Sequence, residues 1–241
     1  MRTGINVVVA LMIIVSFFMA IPLHEWAHAQ MAAWLGDRTP RLEGRQTLNP
    51  RVHIDPVGTL LCVVLAFQSL SGMGWGKPVK PDPWKMKVGA NTGVLIVACA
   101  GPIFSLVVGL VTAGLARLFA PVFILHDNFF FERVLQFLIV FACVNIGIAL
   151  LNLLPFHPLD GYQIVHALLP SKQAVQFARS AVYGPFIILI LFFIVPFIAS
   201  LVGLGWFPLF NLAYYIQWVS INVVAMMFGL PFQTIANFYG F

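Results

Sequence analysis

Long runs of apolar residues, separated by short polar stretches, set the pattern of this chain. The runs are Ile5–Leu23, Val57–Leu70, Val88–Leu115, Val134–Leu151, Ala181–Leu204 and Trp206–Met227. A helix needs roughly 20 residues to cross a bilayer, and every run except Val57–Leu70 reaches or nearly reaches that length. Val57–Leu70 has 14 residues, which suits a re-entrant or half-buried helical segment. The pattern predicts an all-α polytopic membrane protein with about five transmembrane helices.

Composition supports a membrane location and excludes some functions. Of the 241 residues, 61% are hydrophobic and 9% are charged, and the mean hydropathy of +0.94 lies far outside the range of soluble domains. The net charge of +5 comes without a basic patch interleaved with aromatic residues, so no nucleic-acid partner is expected. We expect a single membrane-embedded domain, 1–241, with a catalytic core at about 5–170 and a C-terminal helical pair at about 181–228.

The segment Pro22–Gln30, PLHEWAHAQ, places ionisable residues directly behind the first apolar run. His24 and His28 are four residues apart, so on a helix both side chains lie on one face and can reach one metal ion. Glu25 can reach water bound to that metal, and H-E-x-x-H is typical of zinc with a general base. Ionisable groups in a membrane helix cost about 2.5–3.5 kcal/mol each on insertion scales, so their presence here indicates a function.

A catalytic zinc ion usually has three protein ligands and one water molecule, so a third ligand must come from elsewhere in the chain. Asp160 stands out in the segment NLLPFHPLDGYQ, because Pro155 and Pro158 interrupt the helix just before this carboxylate. Irregular backbone at membrane depth persists only where protein or a water-filled cavity surrounds it. The spacing leaves other donors open, and these are His157, His53, His126, His166 and Asp55.

Two motifs together carry a resemblance to a known family. HEWAH, followed at a distance by NLLPFHPLDG, resembles the site-2 protease family of intramembrane zinc metalloproteases, whose second motif reads N-x-x-P-x-x-x-L-D-G. Shorter matches are LNPRVHIDPVGT (Leu48–Thr59), GWGKPV (Gly74–Val79) and AGP (Ala100–Pro102). The family often has asparagine where Ser105 stands and proline where His157 stands. The chain is similar to a small form of the family, without PDZ or CBS modules.

The resemblance implies one catalytic Zn²⁺ ion held by His24, His28 and Asp160, with Glu25 catalytic and Asn152 assisting at the substrate. The implied reaction is hydrolysis of peptide bonds within or near transmembrane segments of membrane proteins, as in regulated intramembrane proteolysis. The expected partners are membrane protein substrates with a transmembrane helix and the lipid bilayer, and the sequence predicts no oligomeric state. A short β-hairpin near residues 41–53 is a further expectation, since its edge can hold an extended substrate.

The alternative function is that of a non-proteolytic zinc-binding membrane protein or a zinc carrier. A carrier is expected to place several ligands along a path through multiple helices. This sequence concentrates its candidate ligands in two motifs, and it includes Glu25, which a binding protein does not need. The pattern therefore favours the protease.

Helix parity predicts how the chain is oriented in the membrane. His24 and His28 lie near the C-terminal end of the first crossing, and Asp160 lies just beyond the run Val134–Leu151, so a shared metal ion requires both ends to lie on one side. If Val57–Leu70 crossed fully, three crossings would separate the two motifs and place Asp160 on the opposite side. We therefore expect that Val57–Leu70 does not cross. The face that the intervening loops then share is rich in basic residues. It holds ten of the 13: Arg38, Arg41, Arg45, Arg51, Lys77, Lys80, Lys85, Lys87, Lys172 and Arg179. The positive-inside rule makes this face cytoplasmic. We expect a multi-pass protein of a prokaryotic cell membrane, with the N-terminus outside and the active site toward the cytoplasm.

Overall fold

The computed structural model describes residues 6–125, 128–205 and 207–239, and within these ranges it contains helices and no β-strand. The helices are α1 (Val7–Trp34), α2 (Thr39–Leu42), α3 (Pro56–Ser69), α4 (Ala90–Leu125), α5 (Phe129–Asn152), α6 (Asp160–Leu168), α7 (Ser171–Ala178), α8 (Gly184–Leu189), α9 (Val195–Leu201), α10 (Leu212–Phe228) and α11 (Phe232–Tyr239). Short 3₁₀ turns lie at Pro50–Val52, Pro83–Lys85, Arg179–Tyr183 and Pro208–Phe210, and a π-helical turn lies at Ile190–Ile194. Ile5, Trp206 and the candidate ligand His126 lie outside the described residues.

Four helical stretches are long and apolar enough to cross a membrane. They are Val7–Trp34, Ala90–Val122, Phe129–Asn152 and Ser171–Leu201, the last of which joins α7, α8 and α9. A fifth crossing results if α10 and α11, which meet at an angle of 116°, form one bent span. The predicted all-α architecture with about five transmembrane helices is therefore confirmed.

The spans are arranged around α5, most of which is buried. Apolar side chains from α1, α5 and α10, among them Phe17, Ile139 and Val224, form one continuous core. Helix α4 packs against both α1 and α5, whereas the stretch Ser171–Leu201 lies at the periphery and is mostly exposed. This packing sets the part of α1 that carries HEWAH against α4.

Helix α3 enters the bundle, and the chain then returns to the side from which it came. Asp55 caps its start by accepting hydrogen bonds from the backbone N–H groups of Val57 (3.0 Å) and Gly58 (2.9 Å). The helix is followed by Leu70, whose left-handed backbone (φ 49°) turns the chain. An extended segment runs back along α3, so closely that a Cβ atom at Gly74 would lie 2.4 Å from the carbonyl oxygen of Gly58.

Hydrogen bonds connect the loop before α3 with the loop after it. The backbone N–H of Asp82 donates to the buried carboxylate of Asp37 (2.7 Å), and Nζ of Lys85 donates to Oγ1 of Thr39 (3.0 Å). Asp37 and Thr39 follow α1 directly, so both loops lie at the C-terminal end of that helix. Helix α3 therefore does not cross the bundle, in agreement with the predicted re-entrant or half-buried segment.

The structure does not form the short β-hairpin expected near residues 41–53. A 3₁₀ turn begins after Asn49, whose side chain accepts a hydrogen bond from the backbone N–H two residues further on (3.1 Å). The guanidinium of Arg45 donates to the backbone carbonyl oxygens of Val52 and Lys77. Side chains rather than a partner strand therefore provide hydrogen bonds to the backbone here. The strand-like pairing of the described ranges is limited to one isolated antiparallel bridge between Ile54 and Gly76.

Single cysteines at three exposed positions test the re-entrant path. The three native cysteines are first replaced by serine. A membrane-impermeant thiol reagent should then label Arg38→Cys and Lys80→Cys from one side, because the loops that flank α3 are hydrogen-bonded to each other. Asn128→Cys should react from the other side, because Asn128 follows α4 at the opposite end of a membrane-length helix. Reaction of the first two cysteines from opposite sides would mean that α3 crosses.

Candidate metal centre

The HEWAH motif lies inside α1, and its ionisable side chains are buried. His24, Glu25 and His28 are 2%, 5% and 5% exposed. Their surroundings come from α4 and α6, which contact this part of α1 through hydrogen-bonding groups. Because protein encloses the polar residues, α1 continues past Leu23, where the apolar run stops, and ends only at Trp34.

Asp160 reaches the same place through a tight reversal of the chain. Helix α5 ends at Asn152, residues 153–159 form turns, and Asp160 begins α6. The reversal requires Gly161, because a Cβ atom there would lie 2.3 Å from the carbonyl oxygen of Leu153. Asp160 is 8% exposed. The segment NLLPFHPLDG thus ends one helix and begins the next with its carboxylate directed at α1.

Donor atoms of His24, His28 and Asp160 converge on one point. Nε2 of His24 lies 3.2 Å from Nε2 of His28 and 3.0 Å from Oδ2 of Asp160, and Nε2 of His28 lies 3.2 Å from Oδ1 of the same carboxylate. Two zinc–ligand bonds of about 2.0–2.1 Å at a tetrahedral angle place their ligand atoms roughly 3.3–3.4 Å apart. The observed separations are close to that value, so one zinc ion fits this donor set. In the part of the chain that the structure describes, no other group of three such donors occurs.

The outer nitrogen atoms of the two imidazoles indicate where the protons lie. Nδ1 of His28 is 2.7 Å from the carbonyl oxygen of Val97, which can only accept a hydrogen bond, so Nδ1 carries the proton. Nδ1 of His24 is 2.9 Å from Oγ of Ser105, a hydroxyl that can accept the same kind of bond. A neutral ring with its proton on Nδ1 has its lone pair on Nε2, which is the form of histidine that binds a metal ion.

Ser105 is a functional candidate whose contact with His24 was not predicted from the sequence. The residue is 1% exposed, and its hydroxyl orients the His24 ring from the side opposite Asp160. A hydrogen bond to the ring nitrogen that does not bind the metal sets the tautomer and the orientation of a metal-binding imidazole. A signal was available, since Ser105 lies four residues after Gly101 of the AGP motif and therefore on the same face of α4.

Gly101 allows α4 to lie directly against the two imidazoles. A Cβ atom at this position would lie 2.2 Å from Nε2 of His28 and 2.7 Å from Nε2 of His24. These Nε2 atoms are the ones that face the carboxylate of Asp160, so any side chain at Gly101 would enter the space between the three donors.

The Glu25 carboxylate lies beside the three donors. Its Oε2 atom accepts a hydrogen bond from the backbone N–H of Val79 (3.1 Å) and lies 4.0 Å from Nη2 of Arg45. Glu25, His28 and Asp160 line one small cavity of about 10 Å³, which has room for about one water molecule. The arrangement can hold a water molecule between the carboxylate and the metal donors.

The other candidate ligands do not join this group. His53 is buried, but its Nε2 atom lies 2.8 Å from a backbone carbonyl oxygen of its own loop. Asp55 caps α3. The rings of His157 and His166 pack against Tyr162, with centroid distances of 5.5 and 6.3 Å. The structure therefore separates these four residues from the convergent donors.

Asn152, for which the resemblance implies a role at the substrate, lies on the last turn of α5. The residue is 4% exposed, and its Nδ2 group donates a hydrogen bond to the carbonyl oxygen of Ile148 (2.9 Å) in its own helix. Its donor group is thus engaged within α5 and does not contact the three donors.

Comparisons with known proteins agree with this donor chemistry. Residues 114–195 match the model of the family described as Peptidase family M50. The "Putative zinc metalloprotease" YwhC of Bacillus subtilis is 33% identical over 76% of this chain and 80% of YwhC. Rip2 of Mycobacterium tuberculosis, which carries the same description, is 30% identical over 86% of this chain and 73% of Rip2. Rip2 of Mycolicibacterium smegmatis is 32% identical over 78% of this chain and 68% of Rip2. No solved structure matches the chain.

The chain belongs to peptidase family M50, the site-2 protease family. It is a zinc metalloprotease of the site-2 type, and its cofactor is Zn²⁺. The resemblance of HEWAH and NLLPFHPLDG to that family is therefore confirmed. Two imidazole nitrogens and one carboxylate oxygen form a donor set that zinc commonly takes in catalytic sites.

Replacing Gly101 with alanine tests the packing of α4 against the imidazoles. We expect Gly101→Ala to bind little zinc, because the added methyl group would occupy the space beside both Nε2 atoms. Gly114→Ala is the matched control on the same helix, since a Cβ atom there would meet nothing closer than Cε of Met227 at 3.9 Å. Zinc content of the purified variants, measured by atomic absorption, decides the matter. Full zinc content in Gly101→Ala would place the metal elsewhere.

Replacing Ser105 with alanine tests its contact with His24. We expect Ser105→Ala to lower zinc affinity about 10–100-fold, because the ring loses the partner that fixes its orientation. Thr112→Val is the control, since the hydroxyl of Thr112 on the same helix bonds only to the carbonyl oxygen of Val108 (2.8 Å). Competition with a chelator of known affinity measures the effect. Equal affinities of the two variants would make the Ser105 contact incidental.

Proposed function

We propose that this protease cuts peptide bonds within or near transmembrane segments of membrane protein substrates, as in regulated intramembrane proteolysis. The observation that carries the proposal is that His24, Glu25 and His28 are buried in a helix long and apolar enough to cross a membrane. A site at this depth is reached most directly by a polypeptide that is itself in the bilayer. Such a substrate must unwind locally, since the amides of a transmembrane helix are hydrogen-bonded within it.

His24, His28 and Asp160 are the proposed zinc ligands. The convergence of their Nε2 and carboxylate oxygen atoms and their burial support this assignment. When bound, zinc lowers the pKa of water toward about 7 and polarises a substrate carbonyl. The three side chains hold their positions through the contacts of His28 with Val97 and of His24 with Ser105.

Glu25 is the proposed general base and acid. Its carboxylate borders the water-sized cavity that His28 and Asp160 also line, so it can take a proton from water in that cavity. The same carboxylate can then give the proton to the amine that leaves when the peptide bond breaks. The N–H of Val79 holds one carboxylate oxygen and leaves the other available for this transfer.

Asn152 is proposed to assist at the substrate. Its side chain is buried at the end of α5, where the chain turns toward Asp160. One N–H of its amide group donates to the carbonyl oxygen of Ile148, which leaves the second N–H to donate to a substrate carbonyl.

The orientation in the membrane is part of the proposal. The loops after α1 and before α4 lie at one end of the bundle and carry most of the basic residues, which favours a cytoplasmic location by the positive-inside rule. The N-terminus would then be outside, the active site would face the cytoplasm, and residues 1–241 would form one membrane-embedded domain. Relatives from three bacteria support a prokaryotic cell membrane.

Substitutions at the proposed ligands and at the base should have different effects. We expect His24→Ala, His28→Ala and Asp160→Ala to lose both zinc and cleavage, because each removes a donor. Glu25→Gln should lose cleavage and keep zinc, because Glu25 is not a ligand. The assay uses purified protein in detergent with a membrane-spanning reporter, and zinc is measured in parallel. Glu43→Gln, an exposed acidic residue, is the control and should behave as wild type.

Two outcomes would contradict the assignments. Undiminished zinc in Asp160→Ala would remove Asp160 from the ligand set. Cleavage by Glu25→Gln at the wild-type rate would require another base. The inactive Glu25→Gln protein also serves as a trap in cells, where uncut membrane proteins that co-purify with it identify the substrate.

A further inference from the structure

Arg45 is a buried cation next to the proposed base. It is 7% exposed, although the residues directly before it in the loop are exposed. Nη2 of Arg45 lies 4.0 Å from Oε2 of Glu25, which is itself 5% exposed. A buried guanidinium is costly unless hydrogen bonds satisfy it and an opposite charge lies nearby. The burial of this pair therefore indicates that Arg45 has a specific role beside Glu25.

The Arg45 guanidinium joins two separate segments of the chain. Nη1 donates to the carbonyl oxygen of Val52, and Nη2 donates to the carbonyl oxygen of Lys77. The same two segments are also joined by the hydrogen bond from the backbone N–H of Lys77 to the carbonyl oxygen of His53 (2.7 Å). Arg45 thus holds the returning segment 74–79 against the loop that precedes α3.

The returning segment 74–79 binds one oxygen of the Glu25 carboxylate and passes close to the other. The backbone N–H of Val79 donates to Oε2 (3.1 Å), and a Cβ atom at Gly76 would lie 2.9 Å from Oε1. Gly76 therefore presents only backbone atoms to Oε1, since any side chain at this position would collide with the carboxylate. The position of the carboxylate depends on the position of this segment, and the segment depends on Arg45.

We propose that Arg45 is a positioning residue for Glu25, a role that rests on the proposed function of Glu25 as the base. It acts in two ways: through the segment that bears Val79, and through its charge, which lies near Oε2. Only arginine can donate to two carbonyl oxygens with a planar fork and still direct positive charge at a third group. Lysine keeps the charge but lacks the fork.

The test compares Arg45→Gln and Arg45→Lys with Arg51→Gln, a control at an exposed residue of the same loop. We expect Arg45→Gln to keep its zinc and to lower kcat roughly 10–100-fold with little change in KM, because a small misplacement of a catalytic group has this effect. Arg45→Lys should recover part of the loss. Arg51→Gln should match wild type in every measurement.

Hydrogen–deuterium exchange gives a second readout that needs no activity. The amides of segment 74–79 should exchange faster in Arg45→Gln than in wild type or Arg51→Gln, because two carbonyl contacts are lost. If zinc-loaded wild type does not cut the reporter, the proposed function fails, and exchange alone then tests the positioning role. Unchanged exchange, wild-type kcat in Arg45→Gln, or loss of zinc together with cleavage would each overturn the role of Arg45.

Discussion

Ionisable side chains inside an apolar bundle raise the free energy of the folded protein unless each of their polar atoms has a partner. In this protein the burial of His24, His28 and Asp160 depends on their mutual approach. Each outer ring nitrogen has a hydrogen-bonding partner on α4, and the inner nitrogens and the carboxylate are left for a cation. Zinc binding and the stability of this part of the fold are therefore linked, because a metal ion that binds only the folded arrangement of these donors stabilises that arrangement.

This constraint accounts for the path of the chain around the site. α1 and α6 must present their polar residues at the same depth, so the polypeptide between them has to return to the end of α1 before it enters α4. The short helix α3 and the extended segment behind it provide that return without a crossing. The same return brings Val79 to Glu25 and Lys77 to Arg45. The segment that lets the chain return without a crossing therefore also forms one wall of the site.

Sequence and structure can be compared residue by residue. The shared face of His24 and His28 was predictable, because it follows from helical periodicity alone. The approach of Asp160 to these histidines was not predictable in this way, because the seven residues of turn between α5 and α6 determine where its carboxylate lies. The resemblance of two motifs supplied that assignment. The hairpin near residues 41–53 was expected from turn residues and mixed polarity, but contacts made by the side chains of Arg45 and Asn49 fold that segment differently. Side-chain contacts across 30 or more residues, such as Arg45 with Lys77, leave no periodic trace in a sequence.

The small cavity beside Glu25 has a consequence for the order of events during turnover. The cavity has room for about one water molecule, and Glu25, His28 and Asp160, which line it, are 5%, 5% and 8% exposed. This conformation is consequently a closed one, and a substrate chain can contact these three side chains only after residues around them have moved. Each catalytic cycle then contains an opening step in addition to chemistry, and a partner or a lipid that alters this step would change the rate without touching any catalytic atom.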